Sequence, residues 1–330
     1  MATYEEITQD ENGSNFTAES FLSNFRRANS RWWNDSNGSN NCSWVFRGHQ
    51  AASWKLVPSA FRELKKNGLK TFIEKIKTQP TIQNEWFLKC SEEHKAASYA
   101  YAACYLAIRD FHQLSLEIGL TEELAELNDP FGLAGMDIGA DGNREYYKFC
   151  AYQSVGLAQH HGIPTPFLDW TRKPEVAVHF ASQLDEETMH EDLAVYALKY
   201  GYGFNPLVPG RRPASILECH TRDSKGKIFR LPFLLKLDAP AKNSYLAAQH
   251  GIFTLVQSLE SFFDTGICPS LEDSIAAMDT LEDPILKKFI LGKDERKSLR
   301  KLLDREGLTE AHLKPSFDSI SSFVKSRWNY

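Results

Sequence analysis

The sequence lacks the motifs that most directly identify a function. None of its six cysteines forms a Cys-x-x-Cys pair, which argues against a zinc ribbon and against a thioredoxin-like redox site. Walker loops, Gly-x-Gly-x-x-Gly fingerprints and Gly-x-Ser-x-Gly elbows are also absent, so the sequence gives no sign of the common phosphate-binding loops or of a serine hydrolase. No repeat of fixed period is present.

Charge excess and long apolar runs are missing as well. The net charge of −5 creates no overall field that would attract nucleic acid or anionic lipid. No stretch approaches the roughly 18 apolar residues that a membrane helix needs. The first residues, MATYEEITQDENGS, are acidic and polar, unlike a secretory signal. We therefore expect a cytoplasmic protein with reduced thiols and no membrane partner.

The chain of 330 residues is long enough to bury a full-sized core, and its 42% hydrophobic content is ordinary for a globular protein. We predict an N-terminal region over 1–43 that ends in a flexible loop. Within it, residues 1–15 are loosely held and 18–33 form an amphipathic helix. One domain follows over 44–330, with a large helical insert at about 84–150.

Short strands and helices are mixed along the rest of the chain. Apolar runs predict strands at 44–47, 165–170, 193–198, 234–237, 252–256 and 289–291. Helices are predicted at 145–159, at 173–183, where Pro174 suits a first turn, at 294–305 and near the C-terminus. Because these elements do not alternate as βαβ units, we expect an α+β fold with a small mixed or antiparallel sheet.

Arg47 is the first candidate site residue, at the end of the strand WVFR. Side chains alternate across a sheet, so Arg47 shares a face with Val45. A guanidinium can hold a pyrophosphate or a carboxylate through two parallel hydrogen bonds. Gly48, expected to end the strand, lets a ligand or a backbone segment approach closely. The alternative is a structural ion pair between Arg47 and a buried carboxylate such as Asp169.

Asp169 and Thr171 are polar residues within the otherwise apolar stretch FLDWT. A carboxylate in this position needs polar partners. Either residue could cap the helix that is predicted to begin near Pro174. Either could instead face a pocket and position a ribose or a nucleophile. Both interpretations remain open.

The sequence places Ala-Gln-His beside glycine twice, in segments that contain Gln159 and Gln249. On a strand, His160 and His161 would point to opposite faces, and no acid or cysteine nearby completes a metal-ligand spacing, so no metal is expected. One histidine, here or at His250, could act in a pocket as a donor or a general acid or base, while another is satisfied within the fold. Glutamine is depleted from cores, so both glutamines should bind backbone groups or a ligand.

Taken in order, these motifs resemble the FRG domain, which is named for its Phe-Arg-Gly motif. The resemblance covers roughly 18–325 and rests on WVFRG, LVPSAFR, QHHGIPTPFLDWT, QHGIFT and RKLLDREGLTEAHLKPSFDSI. The chain departs from the family at Pro166 and at Tyr245, where arginines are usual or frequent. The resemblance implies a bacterial or phage-related protein, of a kind often found near defence or toxin modules.

The sequence is also distantly similar to arginine-type ADP-ribosyltransferases, whose first motif is a strand that ends in arginine. This resemblance implies a similar sheet core and NAD as the substrate, with Arg47 on the pyrophosphate. Thr171 and Gln249 would position the ribose, and Asp169 or Glu175 would supply the negative charge that stabilises an oxocarbenium-like cation. The residues expected to contact NAD are Arg47, Gly48, His160, His161, Trp170 and His250.

Three hypotheses follow from the sequence. The first is an NAD-utilising ADP-ribosyltransferase or NAD glycohydrolase, acting as a defence toxin on an unidentified acceptor. The second is a nucleotide-binding sensor without turnover, since the segment at 249–251 has no glutamate where the transferases carry their catalytic one. The third is an interaction protein whose motifs are structural, with the insert as a partner surface. Polar residues in all the motifs argue against the third.

Overall fold

The computed structural model describes the residues that build the sheet and the cavity beside it. They are 4–33, 44–62, 74, 103–104, 106–108, 110–111, 113–120, 153–165, 167–183, 185–199, 220–222, 228–230, 233–235, 250–255, 270–276, 284–313, 320–321 and 324–325. The predicted loop at 34–43, Gln249 and most of the predicted insert at 84–150 lie outside these residues.

Within the described residues, nine strands form two sheets. They are β1 Tyr4–Ile7, β2 Trp44–His49, β3 Phe167–Thr171, β4 Leu193–Lys199, β5 His220–Arg222, β6 Ile228–Arg230, β7 Phe233–Leu235, β8 Gly251–Leu255 and β9 Leu286–Leu291. Seven of them form one sheet in the order β1-β9-β4-β2-β3-β8-β7, and β5 pairs with β6. In the large sheet only β1 and β9 run parallel, so it is a mixed sheet.

Six helices are described beside the strands. They are α1 Ala18–Asn24, α2 Gln153–His160, α3 Pro174–Ala181, α4 Leu271–Ala276, α5 Arg296–Arg305 and α6 Glu310–Leu313, with short 3₁₀ turns at Ser30–Trp32, Ser59–Phe61 and Lys293–Glu295. A further helical stretch lies within 103–117. The mixture of helices with a mostly antiparallel sheet confirms the α+β class.

Local sequence accounts for where the first helices begin. Thr17 caps α1, because its side chain accepts from the Ser20 N–H while the Ser20 hydroxyl accepts from the Thr17 N–H. Pro174 opens α3, where its fixed φ and missing N–H cost nothing. Every residue of β4 except the last is buried, as a strand covered on both faces requires.

Each face of the large sheet carries its own apolar core. One face packs α1, α3 and α5 against the sheet and includes Phe25, Trp32, Phe46 and Phe289. The other face is covered in part by α4 and by the chain near Leu56, and it includes Val45, Trp170, Tyr196 and Ile275. Successive side chains of β2 point to alternate faces of the sheet, so Trp44 and Phe46 belong to the first core and Val45 belongs to the second.

The sheet opens between β2 and β3. These two strands are in register at one residue pair, Phe46 with Thr171. On its other side, β2 pairs with β4 along its whole length. Every other pair of neighbouring strands in this sheet is in register over three residues or more. The opening leaves a space beside Arg47, and this space is the candidate site.

Several predicted elements differ from the structure. Residues 4–7 are not loosely held, because β1 pairs with β9. The strand at 44–47 is not cut at Gly48 but continues to His49. The helix at 18–33 ends at Asn24, and a separate 3₁₀ turn follows at Ser30–Trp32. The boundary at residue 43 stays a prediction, although α1 packs on the same sheet as the rest of the chain.

No helix among the described residues is long and apolar enough to cross a membrane.

Candidate functional site

A cavity of about 320 Å³ lies at the opening between β2 and β3. Its polar lining comes from four elements and includes Arg47, His49, Arg62, Gln159, His160 and Asp169. Its aromatic lining includes Trp54, Phe180 and Phe253. Cavities of this size that combine apolar walls with a few convergent polar groups are typical ligand sites.

A second, smaller cavity of about 180 Å³ adjoins the first. Arg47, Arg62, Gln159 and Asp169 line both cavities. The smaller cavity is completed by less polar groups that include Ile163 and Phe167. The charged groups therefore lie at the junction of two spaces.

Arg47 bridges the opening between the strands. Its Nη1 donates to the main-chain oxygen of Asp169 at 2.7 Å and also to the Asp169 carboxylate oxygen Oδ1. Its Nε donates to Nε2 of His49 at 3.0 Å. The Arg47 side chain is only 13% exposed. The ion pair with Asp169, considered above as the structural alternative, is thus formed, and it is formed in the wall of a cavity.

Asp169 keeps most of its carboxylate accessible. Its side chain is 60% exposed even though it is paired with Arg47. Partial withdrawal from water raises the pKa of this carboxyl, but the adjacent Arg47 guanidinium outweighs that effect, and the pKa lies below its ordinary value. Asp169 is therefore ionised at neutral pH.

Gln159, in the last turn of α2, bonds to the same carboxylate oxygen as Arg47. Its Nε2 donates to Oδ1 of Asp169 at 3.0 Å, and its Oε1 accepts from the hydroxyl of Thr165. Thr165 is held in turn by Ser59, whose Oγ accepts from the Thr165 N–H at 3.0 Å. Among the described residues, the side-chain hydrogen bonds to the Asp169 carboxylate all end on Oδ1, so Oδ2 is the oxygen left for a ligand.

Arg62 supplies a second guanidinium to both cavities. Its Nε donates to the main-chain oxygen of Val57 at 2.7 Å. Burial and the nearby charge of Arg47 lower the pKa of Arg62 to about 10, so it stays protonated at neutral pH. Among the described residues that line the cavities, two cationic side chains thus accompany one carboxylate, a balance that favours an anionic ligand.

Thr171 and Trp170 serve the fold as well as the cavity that both of them line. The hydroxyl of Thr171 accepts from the N–H of Lys173 at 3.0 Å, immediately before α3 begins. This contact is a local turn that leads into the helix and not the predicted cap, because Lys173 is the N-cap residue of α3 and no side chain caps that helix. The Trp170 indole N–H donates to Thr254 at 2.8 Å within the second core, and the residue is 3% exposed.

The predicted histidines do not converge on one cavity, although the rings of His160 and His161 meet edge to face with centroids 5.2 Å apart. His160 ends α2 and lines the larger cavity, whereas His161 follows in an exposed turn and stacks on Phe111. The strand argument used above for these two histidines does not apply, because α2 ends at His160 and His161 lies in the turn after it. His250 is exposed in a turn with φ of 48° and is not part of the cavity lining. Among the described residues, no group of three or more His, Cys, Asp or Glu side chains could hold a metal ion.

Gly48 lines the larger cavity, and its missing side chain admits backbone. A Cβ at this position would lie 2.0 Å from the main-chain oxygen of Ala177 and 2.6 Å from the N of Ala181, so α3 rests directly on β2. Glu175, the alternative source of negative charge, is not part of the lining of the larger cavity. Gln249 lies outside the described residues, and its role stays a prediction.

The sequence interpretation missed Arg62 and His49 as site residues. Arg62 belongs to the quoted LVPSAFR motif, but nothing local connects it with Arg47. His49 follows Arg47 by two residues, so the period of a strand places the two side chains on one face. The two-residue period of the strand was therefore the sequence feature from which His49 could have been predicted as a site residue.

The family model of the FRG domain matches residues 139–190. This segment contains α2, β3 and α3, which carry Gln159, His160 and Asp169. Over these residues the chain is similar to an FRG domain, and the wider resemblance stays a prediction. No curated protein and no solved structure matches the chain.

Proposed function

We propose that the two adjoining cavities bind NAD and that the protein is an NAD-utilising enzyme similar to ADP-ribosyltransferases. One observation carries the proposal: Arg47, Arg62 and Asp169 lie together at the junction of two cavities. A matching ligand has an anionic centre with a ring system on each side. NAD has this form, because its pyrophosphate lies between two nucleoside halves.

Arg47 and Arg62 would hold the pyrophosphate, since guanidinium groups form paired, charge-assisted hydrogen bonds with phosphate oxygens. Trp54, Phe180 and Phe253 give the larger cavity aromatic surfaces against which a base can pack. The pyrophosphate would compete with Asp169 for Arg47. Asp169 would then keep its bond to Gln159 and be released from its cationic partner.

In the cleavage step, the bond between the ribose C1′ and the nicotinamide nitrogen breaks, and its electron pair leaves with neutral nicotinamide. An acceptor nucleophile or water adds to C1′, and its proton passes to solvent. The ribose becomes cationic along this path, as in glycoside cleavage. The ionised Asp169 would stabilise that cation through Oδ2.

Nicotinamide release from NAD tests the proposal, with the purified protein measured alone and with cell lysate as a source of acceptor. We expect Arg47→Ala and Asp169→Asn each to reduce release by about 100-fold or more. Arg47→Ala should also abolish NAD binding in calorimetry, whereas Asp169→Asn should retain it. Arg26→Ala is the matched control, because Arg26 pairs with Glu306 on an exposed surface and should leave release unchanged. Wild-type protein that releases no nicotinamide under either condition would contradict the enzyme proposal.

A nucleotide-binding sensor without turnover is the second candidate. The observation that favours it is the ion pair of Asp169, because a carboxylate neutralised by Arg47 stabilises a cation less well. NAD binding that depends on Arg47 but yields no nicotinamide would support this candidate.

A role as a defence toxin further predicts that expression is toxic and that Arg47→Ala or Asp169→Ala relieves the toxicity. The insert at about 84–150 remains the proposed surface for a partner or acceptor.

A further inference from the structure

His49 is a buried histidine in contact with the central arginine of the site. It ends β2, is 2% exposed, and lies on the same face of the strand as Arg47. Its ring packs edge-on against Tyr196, with centroids 5.1 Å apart, and against Trp54 at 6.1 Å. Neither of the proposed steps assigns it a role.

The directions of the hydrogen bonds define the form of the ring. Arg47 Nε can only donate, so Nε2 of His49 must accept at 3.0 Å. The ring proton then resides on Nδ1, which donates to the main-chain oxygen of Trp54 at 3.3 Å. The hydroxyl of Tyr196 donates to the same oxygen at 3.2 Å.

We propose that His49, as a neutral ring with its proton on Nδ1, is a positioning residue that orients the Arg47 guanidinium for anion binding. The bond at Nε leaves the Nη groups of Arg47 for Asp169 and for a ligand. The His49–Arg47 contact stands on the geometry alone, and its consequence for anions rests on the proposed function.

The charges around the ring oppose its protonation. Arg47, on the same strand, and Arg62, after the 3₁₀ turn, are both cationic, while Asp169 is the facing carboxylate and Tyr196 the facing hydroxyl. Burial first, and then the two arginines, lower the pKa of His49 well below its ordinary value. A protonated ring would lose the acceptor that Arg47 Nε requires.

Nitrogen NMR of the full chain, labelled with ¹⁵N in histidine and arginine, tests the contact without any ligand. The His49 signals are those that disappear in His49→Asn. We expect them to keep the pattern of a neutral ring protonated at Nδ1 from pH 8 to about 5. A titration near the ordinary pKa of about 6.5, or a proton on Nε2, would overturn the proposal.

Two matched substitutions separate positioning from general structure. The shorter amide of His49→Asn can still donate to the Trp54 oxygen but does not reach Arg47, whereas His49→Gln can still accept from Arg47 Nε. With inorganic pyrophosphate as the probe in calorimetry, we expect His49→Asn to weaken binding about tenfold and His49→Gln to stay within about threefold of wild type. Equal affinities in all three proteins would overturn the proposal.

These experiments distinguish failure of the His49 proposal from failure of the proposed function. Wild-type protein that binds no pyrophosphate contradicts the anion site. The Arg47 Nε–H signal then still decides on His49, because that signal should be protected from solvent exchange in wild type and in His49→Gln but not in His49→Asn. Equal exchange in the three proteins would refute the positioning role.

Discussion

The two edges of β2 are built in different ways. Toward β4, β2 is in register along its whole length. Toward β3, one residue pair is in register, and side chains replace main-chain hydrogen bonds. The first edge is closed by the pairing of β2 with β4, which stabilises the fold. The second edge keeps a guanidinium and an exposed carboxylate beside a cavity, which is where we propose that a ligand binds.

Two arginines with little exposure show a similar contrast between the fold and the cavity. Arg296, at the start of α5, is 1% exposed and donates to the main-chain oxygens of Gln50, Ala181, Gln183 and Glu191 at 2.5 to 3.4 Å. These acceptors are neutral and belong to the fold. Arg47 donates instead to a carboxylate and to a histidine ring in the cavity wall. Arg296 therefore holds the fold together, whereas Arg47 is the arginine proposed to bind a ligand.

Arg296→Met should cause the largest loss of stability. The substitution removes a buried guanidinium and leaves several buried carbonyl groups without donors, so we expect the free energy of unfolding to fall by about 3 kcal/mol or more. Urea unfolding followed by circular dichroism measures the loss. Lys297→Met is the matched control, because Lys297 is the next residue of α5 and is exposed; its effect should stay within about 0.5 kcal/mol. A comparable loss in both variants would contradict the structural role of Arg296.

Gly48→Ala should have the next largest effect. A methyl group at this position would overlap the backbone of α3, which cannot yield as a flexible side chain does. We expect a loss of about 2 kcal/mol, in the range for overpacked cores, measured by the same unfolding experiment. Gly292→Ala provides the control, since a Cβ there meets nothing within 4 Å and φ is −58°. If Gly48→Ala is as stable as Gly292→Ala, the close approach of α3 to β2 is not as described.

The pH dependence of stability tests the buried ring of His49 at the edge that faces the cavity. The pKa of His49 is lowered by folding, so the unfolded chain takes up a proton near pH 6.5 that the folded protein does not. Stability contributed by the neutral ring is therefore present above about pH 6.5 and is lost as the pH falls toward the pKa of the folded state. The expected slope is about 1.4 kcal/mol per pH unit below 6.5. Between pH 7 and 5, the free energy of unfolding should fall more steeply in wild type than in His49→Gln by about this amount, because the other titratable groups contribute to both proteins; identical slopes would contradict the prediction.

Much of the fold could be predicted because its strands carry local patterns. The runs at 44–47, 193–198 and 252–256 are apolar or alternate, and the strands are found there. The strand β1 was missed because its sequence, YEEI, shows no such pattern. Two of its residues form ion pairs with β9 across the chain, Glu5 with Lys287 and Glu6 with Lys288 at 3.2 Å. A strand whose pairing depends on residues distant in sequence shows little local pattern from which it could be predicted.

The site was predictable in part for the same reason. Arg47 and Asp169 stand out as charged residues in apolar strands, and they do meet. Arg62 comes near them through the 3₁₀ turn at Ser59–Phe61, where the Ala60 N–H donates to the Thr165 oxygen at 3.0 Å. That contact spans about a hundred residues of sequence. No local sequence pattern could therefore have predicted that Arg62 lies in the site.

Arg47→Met should have the smallest effect on stability and the most informative one. Its partner Asp169 is 60% exposed, so loss of the guanidinium leaves a solvated carboxylate rather than a buried, unpaired charge. We expect the free energy of unfolding to change by no more than about 1 kcal/mol, while affinity for inorganic pyrophosphate falls at least tenfold. A large loss of affinity with a small loss of stability is expected of a binding residue. Arg296→Met should instead lower stability, and it should weaken binding only because less of the protein is folded. If Arg47→Met instead destabilises the protein as much as Arg296→Met, the ion pair with Asp169 is structural, and the opening of the sheet does not mark a ligand site.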